Sequence, residues 1–169
     1  MKEIPVQELK LDPLMIVREW MLITAGTKER GYNTMTASGG HLGSIWGGGK
    51  CRPSAVVYVR PQRYTKEFMD REELFTLSFF PEGYRDRLGY LGTHSGRDGD
   101  KIAEAGLTPV FSDGYTGFAE ARLTLLCRKL YQGRLQESGF ADRRIIEDNY
   151  PEKDFHEMYI GEIIRAWEK

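Results

Sequence analysis

An α+β fold, mainly β and antiparallel, is predicted for this chain by three observations. Short runs rich in β-branched, aromatic and hydroxyl residues recur along it, about six in all. The helical stretches between them are short, and they do not alternate regularly with the strands, which excludes a doubly wound parallel sheet and with it the usual dinucleotide fold. Glycine-rich turns and loops punctuate the runs, as in a barrel or sandwich. At 169 residues the chain is expected to be one domain with a sizeable core.

In order, Asp12 as N-cap and Pro13 at the first helical position predict a short helix over Asp12–Arg18. Two strands follow, Met21–Thr27 and Tyr32–Ser38, on either side of a polar turn. The run Gly39-Gly40-His41-Leu42-Gly43-Ser44-Ile45-Trp46-Gly47-Gly48-Gly49 is expected to be a loop, because helix and strand are both costly for so much glycine. Ser54–Arg60 is a buried strand, and Thr65 is placed as N-cap of a helix through Arg71. Leu74–Phe80 is the next strand, ended by Pro81; helical pieces follow near Glu82–Leu91 and Asp98–Ala105, the second closed by Gly106. Gly117–Tyr131 has a period ambiguous between strand and helix; Thr124 and a hairpin-like turn at Gln132-Gly133-Arg134 favour strand. Met158–Trp167 is the last strand.

Composition narrows the function. Hydrophobic content of 40% and aromatic content of 12% suit a folded protein. Lys and Arg number 24 against 25 Asp and Glu, so no overall field recruits nucleic acid or an acidic membrane. The N-terminus lacks an apolar signal core and no apolar run approaches ~20 residues, so a cytoplasmic protein is expected. Cys51 and Cys127 stand at no metal or redox spacing and read as free thiols. His41, His94 and His156 match no metal-ligand spacing, and no nucleophile elbow, Gly-x-Gly-x-x-Gly or Walker loop is present.

Chemistry gathers at a few segments. Asn33-Thr34-Met35-Thr36-Ala37-Ser38 is a strand of small and hydroxyl residues that a flat heterocycle can approach closely, since small side chains leave backbone donors and acceptors bare. Arg60-Pro61-Gln62-Arg63-Tyr64-Thr65 sets two guanidinium groups and a hydroxyl where a helix begins, which suits either an anion or a simply capped helix with solvated arginines. In His94-Ser95-Gly96-Arg97-Asp98-Gly99-Asp100-Lys101, the side chains of Ser95, Arg97 and Lys101 either close on the same anion or belong to a loop in which Asp98 caps the next helix. Trp46 either covers a bound ring or plugs its loop onto the barrel or a partner subunit.

Taken together, these segments resemble the flavin reductase-like family of FMN-binding split barrels, near its flavoredoxin branch. The resemblance is carried by Trp20–Gly26, Asn33–Ser38, Val59–Thr65, Phe75–Phe80, His94–Lys101 and a closing strand, His156–Ile163. It implies an FMN-binding split β-barrel with short flanking helices, and a homodimer with the flavin near the interface. It implies that Asn33, Thr36, Ala37 and Ser38 line the isoalloxazine and ribityl chain; Met35 of the same strand and Trp46 are expected among the cofactor-binding residues. It places Arg63, Thr65 and Lys101 at the phosphate end; Arg60, Tyr64 and Ser95, from the same two segments, are expected among the cofactor-binding residues. His156 matches a histidine beside the flavin face, a contact or proton relay where nicotinamide or a protein partner approaches. Gly39 stands where relatives often carry an aromatic residue, a gap that Trp46 is the candidate to fill. The charged stretch from Tyr131 to Asp154 reads as an insertion, a hairpin or helix at the dimer edge or over the active site.

The activity this implies is hydride transfer from NAD(P)H, as transient co-substrate, to tightly held FMN. The alternatives are an FMN electron carrier that works with a redox protein partner, and a split barrel that has lost its flavin; the charged Arg63 and Lys101 beside Thr65 argue against the last.

Overall fold

Residues 1–47, 52–112 and 114–169 are described by a computed structural model of the protein; Gly48 and Gly49 of the glycine-rich loop, and Cys51, lie outside the described residues. The chain begins with strand β1 (Lys2–Ile4), a 3-10 turn at Val6–Glu8 and helix α1 (Met15–Glu19). Strands β2 (Met21–Thr27), β3 (Gly31–Ala37), β4 (Gly40–Gly43) and β5 (Ser54–Val59) come next, then helix α2 (Thr65–Arg71) and strand β6 (Leu74–Phe79). Helices α3 (Arg85–Thr93) and α4 (Lys101–Glu104) precede a hairpin of β7 (Pro109–Ser112) and β8 (Tyr115–Phe118). Strand β9 (Leu123–Arg134), a 3-10 turn at Glu137–Gly139, helix α5 (Arg144–Asn149) and strand β10 (Glu157–Glu168) complete it.

One antiparallel sheet runs in the order β3-β2-β6-β9-β10-β5-β4, with β1 added to β10. Its two free edges, β3 and β4, are consecutive in sequence and only Ser38 and Gly39 apart, yet they do not pair with each other. The sheet is therefore a curled, partly open barrel flanked by short helices, the split barrel expected from the sequence. The split matters for function, because an edge strand keeps alternate backbone donors and acceptors unpaired on its free side.

Two cores explain why the apolar runs are so continuous. Met21, Ile23 and Ala25 of β2 point into the barrel with Phe75, Leu77 and Phe79 of β6 and Leu123, Leu125 and Cys127 of β9. Leu22, of opposite parity on β2, packs instead with Leu88, Leu91, Ile102 and Phe118 outside the barrel. A strand buried on both faces needs no polar alternation, so Met21–Thr27 reads as one unbroken run. Cys127 is a buried free thiol whose pKa burial pushes up. Among the described residues no helix is long and apolar enough to cross a membrane, and no group of His, Cys, Asp and Glu could hold a metal ion.

Several expected boundaries are corrected. The first helix starts at Met15 rather than Asp12; Asp12 Oδ1 instead accepts the Leu14 N–H at 2.8 Å in the turn before it. The expected loop at Gly40–Gly43 is a strand paired with β5, at a close approach where a Cβ on Gly40 would lie 2.9 Å from the Val56 carbonyl oxygen. Thr65 is the first residue of α2, not its cap. Asp100, not Asp98, caps α4, accepting the Ala103 N–H at 3.1 Å. Gln132-Gly133-Arg134 is no turn: β9 runs through it, opposite Tyr159, Met158 and Glu157 of β10. Gly117–Tyr131 is strand on either side of a break, as β8 and β9.

Gly26 sets the β2–β3 hairpin. Its φ is +103°, and a Cβ there would lie 2.2 Å from the Gly31 carbonyl oxygen and 2.7 Å from Tyr32 Cα. Both obstacles are backbone and cannot rotate away. Gly26→Ala is expected to cost at least about 3 kcal/mol and to lower Tm by about 10 °C, read by thermal unfolding.

Candidate functional site

Strand β3 brings the small-residue segment to the open edge of the barrel. Asn33, Met35 and Ala37 share its buried inner face, while Thr34 and Thr36 lie on the other. The Thr36 hydroxyl donates to the Leu88 carbonyl at 2.6 Å, which ties β3 to α3. Asn33 Nδ2 donates to Thr65 Oγ1 at 2.8 Å, tying β3 to α2. The strand is thus fixed on two sides before any ligand arrives.

Two hollows adjoin along it. The larger, about 390 Å³, runs between Met35–Gly39, Tyr58, Arg60 and the chain around His156. The smaller, about 170 Å³, is bounded by Asn33, Gln62–Thr65, Thr93–Ser95 and Lys101. Met35 and Arg63 border both, so the two hollows are neighbours. A volume of this order suits a flat ring with a polar tail.

Cationic and hydroxyl side chains gather at the smaller hollow. Lys101 is only 5% exposed, and its Nζ donates to the Leu91 carbonyl at 3.0 Å and the His94 carbonyl at 2.9 Å. Burial, and then the Arg63 charge, push its pKa down to about 8 despite those two acceptors. A buried cation beside a second cation is costly until an anion joins them. Arg63 spends one guanidinium N–H on the Gly92 carbonyl at 2.8 Å. Thr65 is buried, and its Oγ1 accepts from Asn33, so its own proton remains available to a ligand.

The larger hollow ends at an aromatic and imidazole wall. Tyr150 Oη and His156 Nδ1 are 2.7 Å apart, and Tyr58 meets the imidazole edge-on at 6.3 Å between centroids. Burial, then Arg60 and Arg63, lower the His156 pKa, with Asp154 acting in opposition. Arg60 donates to Asp154 Oδ2 at 2.5 Å and to the Asn149 carbonyl at 2.7 Å, and its guanidinium lies 5.0 Å from the Tyr150 ring centroid.

The structure therefore brings Arg63, Thr65, Tyr64, Ser95, Asn33 and Lys101 around one hollow, and Met35, Thr36, Ala37, Ser38 and His156 around its neighbour. Two expectations are corrected. Arg60 does not line the smaller hollow with Arg63: Asp154, far along the chain, holds it at the larger one. Trp46 stands 46% exposed and, among the described residues, is not in the lining of either hollow. Arg97, considered for the anion, instead pairs with Glu67 and lies over the Tyr64 ring. Sequence reasoning missed Tyr58, Leu135 and Tyr150 at the larger hollow, and Gln62, Thr93 and His94 at the smaller. Gln62 and His94 lay inside segments already singled out; Tyr150 offered no signal beyond its closeness to His156.

Size alone does not select this site. A hollow of about 740 Å³ lies between the N-terminal segment and the sheet, but its charged lining is mixed, with Glu8, Asp12 and Glu168 among the carboxylates and Arg122 already paired with Glu19.

Comparison with known proteins gives a consistent answer. Residues 16–169 match the family described as flavin reductase like domain. No curated protein matches the chain. Among solved structures, an FMN-binding protein from Thermus thermophilus with bound p-hydroxybenzaldehyde is 22% identical, with a TM-score of 0.65 over 89% of this chain and 71% of that one. The flavoredoxin of Desulfovibrio vulgaris (Miyazaki F) is 21% identical, with a TM-score of 0.67 over 89% and 69%. A NADH:FAD oxidoreductase of Streptomyces globisporus C-1027, in complex with NAD and FAD fragments, is 17% identical, with a TM-score of 0.63 over 89% and 74%. At these identities the likeness is one of fold.

Proposed function

The chain belongs to the family of flavin reductase-like domains, and on that premise we propose that it is an FMN-dependent oxidoreductase taking hydride from NAD(P)H. One observation carries this reading: a hollow suited to a flat ring shares Met35 and Arg63 with a neighbour lined by buried Lys101 and Thr65. The donor set fits a phosphate ester, because Arg63, Lys101 and the hydroxyls of Thr65 and Ser95 line a space that no carboxylate lines. Relatives whose names carry FMN or FAD support a flavin in that position.

When bound, FMN supplies the hydride-accepting ring. Arg63, Lys101, Thr65 and Ser95 hold its phosphate, with Asn33 and Tyr64 as walls. The free edge of β3 presents backbone groups to the ring, and Met35, Thr36, Ala37 and Ser38 set how closely it approaches. The protein's contribution is mainly position, since the cofactor carries the redox chemistry. His156 serves as a contact for the second ring. On this proposal residues 1–169 form one FMN-binding domain, and the insertion at 131–154 walls the ring hollow through Leu135 and Tyr150. A second copy of the chain would cover exposed Leu14, Val17, Ile45 and Trp46.

An FMN electron carrier working with protein partners, in the manner the name flavoredoxin suggests, would use the same two hollows. Rapid mixing with NADH or NADPH separates the two. Bleaching of the flavin band within seconds is expected; reduction only by dithionite or a protein donor would make the chain a carrier. A colourless protein that takes up no added FMN would remove both assignments. Light scattering on the same preparation reads the dimer, and a monomer would remove it.

A further inference from the structure

We infer that Tyr150 is a positioning residue for this site: its hydroxyl donates to His156 Nδ1, holding the imidazole as the Nε2–H tautomer and making it a donor to the molecule that enters beside the flavin. The inference deepens the proposed function and rests on it for the identity of the occupants, though not for the tautomer itself.

The Tyr150 hydroxyl has one partner among the described residues, His156 Nδ1 at 2.7 Å. Nδ1 is the one protein acceptor within reach of the phenol among the described residues, so donation to Nδ1 satisfies its proton within the protein. Nδ1 accepts only when it carries no proton, and in a neutral ring the proton then sits on Nε2. Tyr150 is in no position to swing away. It is 7% exposed, with Phe140 and Phe155 at 5.7 and 4.9 Å between centroids and Arg60 over its face. Arg60 is in turn fixed by Asp154 and the Asn149 carbonyl.

The surroundings keep the ring neutral. Tyr58 and Arg60 face it from the end of β5, Arg63 from the turn before α2, and Tyr150 and Asp154 from the chain leading into β10. Asp154 is the one carboxylate among them, and Arg60 and Gln62 already occupy it. Burial and the two guanidinium groups therefore prevail, and both tyrosines stay protonated because burial raises their pKa.

A chemical consequence follows. A ring with its proton on Nε2 and Nδ1 occupied is no base toward the hollow. It selects a partner with an acceptor oxygen, such as a ring bearing a carbonyl or carboxamide group, over one that offers only a cation or a donor.

Tyr150→Phe removes the hydroxyl and keeps the aromatic packing. Long-range nitrogen correlation NMR of isotopically labelled histidine, run on the purified protein with FMN added and again without it, reads the tautomer directly. The wild type is expected to show Nε2–H at His156; the variant should gain an Nδ1–H fraction and titrate at higher pH. In rapid mixing with NADH the variant should lose roughly fivefold in reduction rate at neutral pH, one net hydrogen bond. It should recover as pH falls through the imidazole titration, because the doubly protonated ring again carries Nε2–H. A wild type with Nδ1–H, a variant unchanged in tautomer and titration, or a rate loss that acid does not restore would overturn the inference. Should the variant fail to fold, the wild-type tautomer alone decides. A chain that takes up no FMN would defeat the proposed function while leaving the tautomer readable without flavin.

Discussion

Lys101→Met is expected to raise the dissociation constant for FMN about a hundredfold and that for riboflavin by no more than about fivefold, the difference being one buried charge-assisted contact to phosphate. Lys101 Nζ already donates to the Leu91 and His94 carbonyls. Lys101 also lines the hollow that it shares with Arg63 and Thr65, where a third N–H remains for a ligand. Methionine keeps most of the volume, so the loss common to both flavins measures the tether, and the excess for FMN measures the charge. Equal losses would show that Lys101 does not touch phosphate.

The same side chain gives a pH dependence whose sign is fixed. Its pKa is lowered from 10.5 to about 8 in the folded protein. Above about pH 8 the flavin-free protein loses the ammonium, so FMN affinity falls with rising pH while riboflavin affinity does not. Stability moves in the opposite direction. Between about pH 8 and 10.5 the unfolded chain holds a proton that the native chain has released, so this group's contribution to folding improves as pH rises. Lys101→Met should abolish both trends, read by flavin fluorescence titration and by thermal melts.

Much of the barrel was legible because burial leaves a pattern. Strands β2, β5, β6 and β10 carry enough apolar side chains to be recognised one by one. Strand β4 left no such trace, since Gly40 and Gly43 are half of it and a glycine advertises flexibility even where it serves close approach. Gly133 misled for a related reason. It reads as a turn, yet the Tyr131 ring folds over it so closely that a Cβ would lie 2.3 Å from the Tyr131 hydroxyl oxygen. At the site, Arg63, Thr65 and Lys101 were found because they belong to segments of recognisable order. Arg60 and Arg63 could not be told apart locally: what separates them is Asp154, a partner 94 residues away. Tyr150 was invisible for the same reason, its role being set by what packs around it.

Gly96→Ala is the second change with a large expected effect, and it tests whether the anion hollow is a rigid, preformed space. A Cβ on Gly96 would lie 2.3 Å from Asn33 Oδ1, 3.2 Å from Asn33 Cγ and 3.3 Å from Tyr64 Cδ1. Asn33 cannot retreat. It is buried, and its Nδ2 donates to Thr65 Oγ1, itself on a residue only 1% exposed. Either the loop carrying His94 and Ser95 moves outward or the Asn33–Thr65 bond breaks, and both alter the lining of the hollow. We expect a stability loss of about 2 kcal/mol from overpacking, together with at least about thirtyfold weaker FMN binding as donors leave their positions. Gly99→Ala is the control, because the nearest atom to its added Cβ is Glu104 Oε1 at 3.4 Å, the end of a side chain that can rotate. If Gly96→Ala binds FMN as tightly as the native chain, the loop adapts freely, and the preorganised grip attributed to Asn33, Thr65 and Lys101 is wrong.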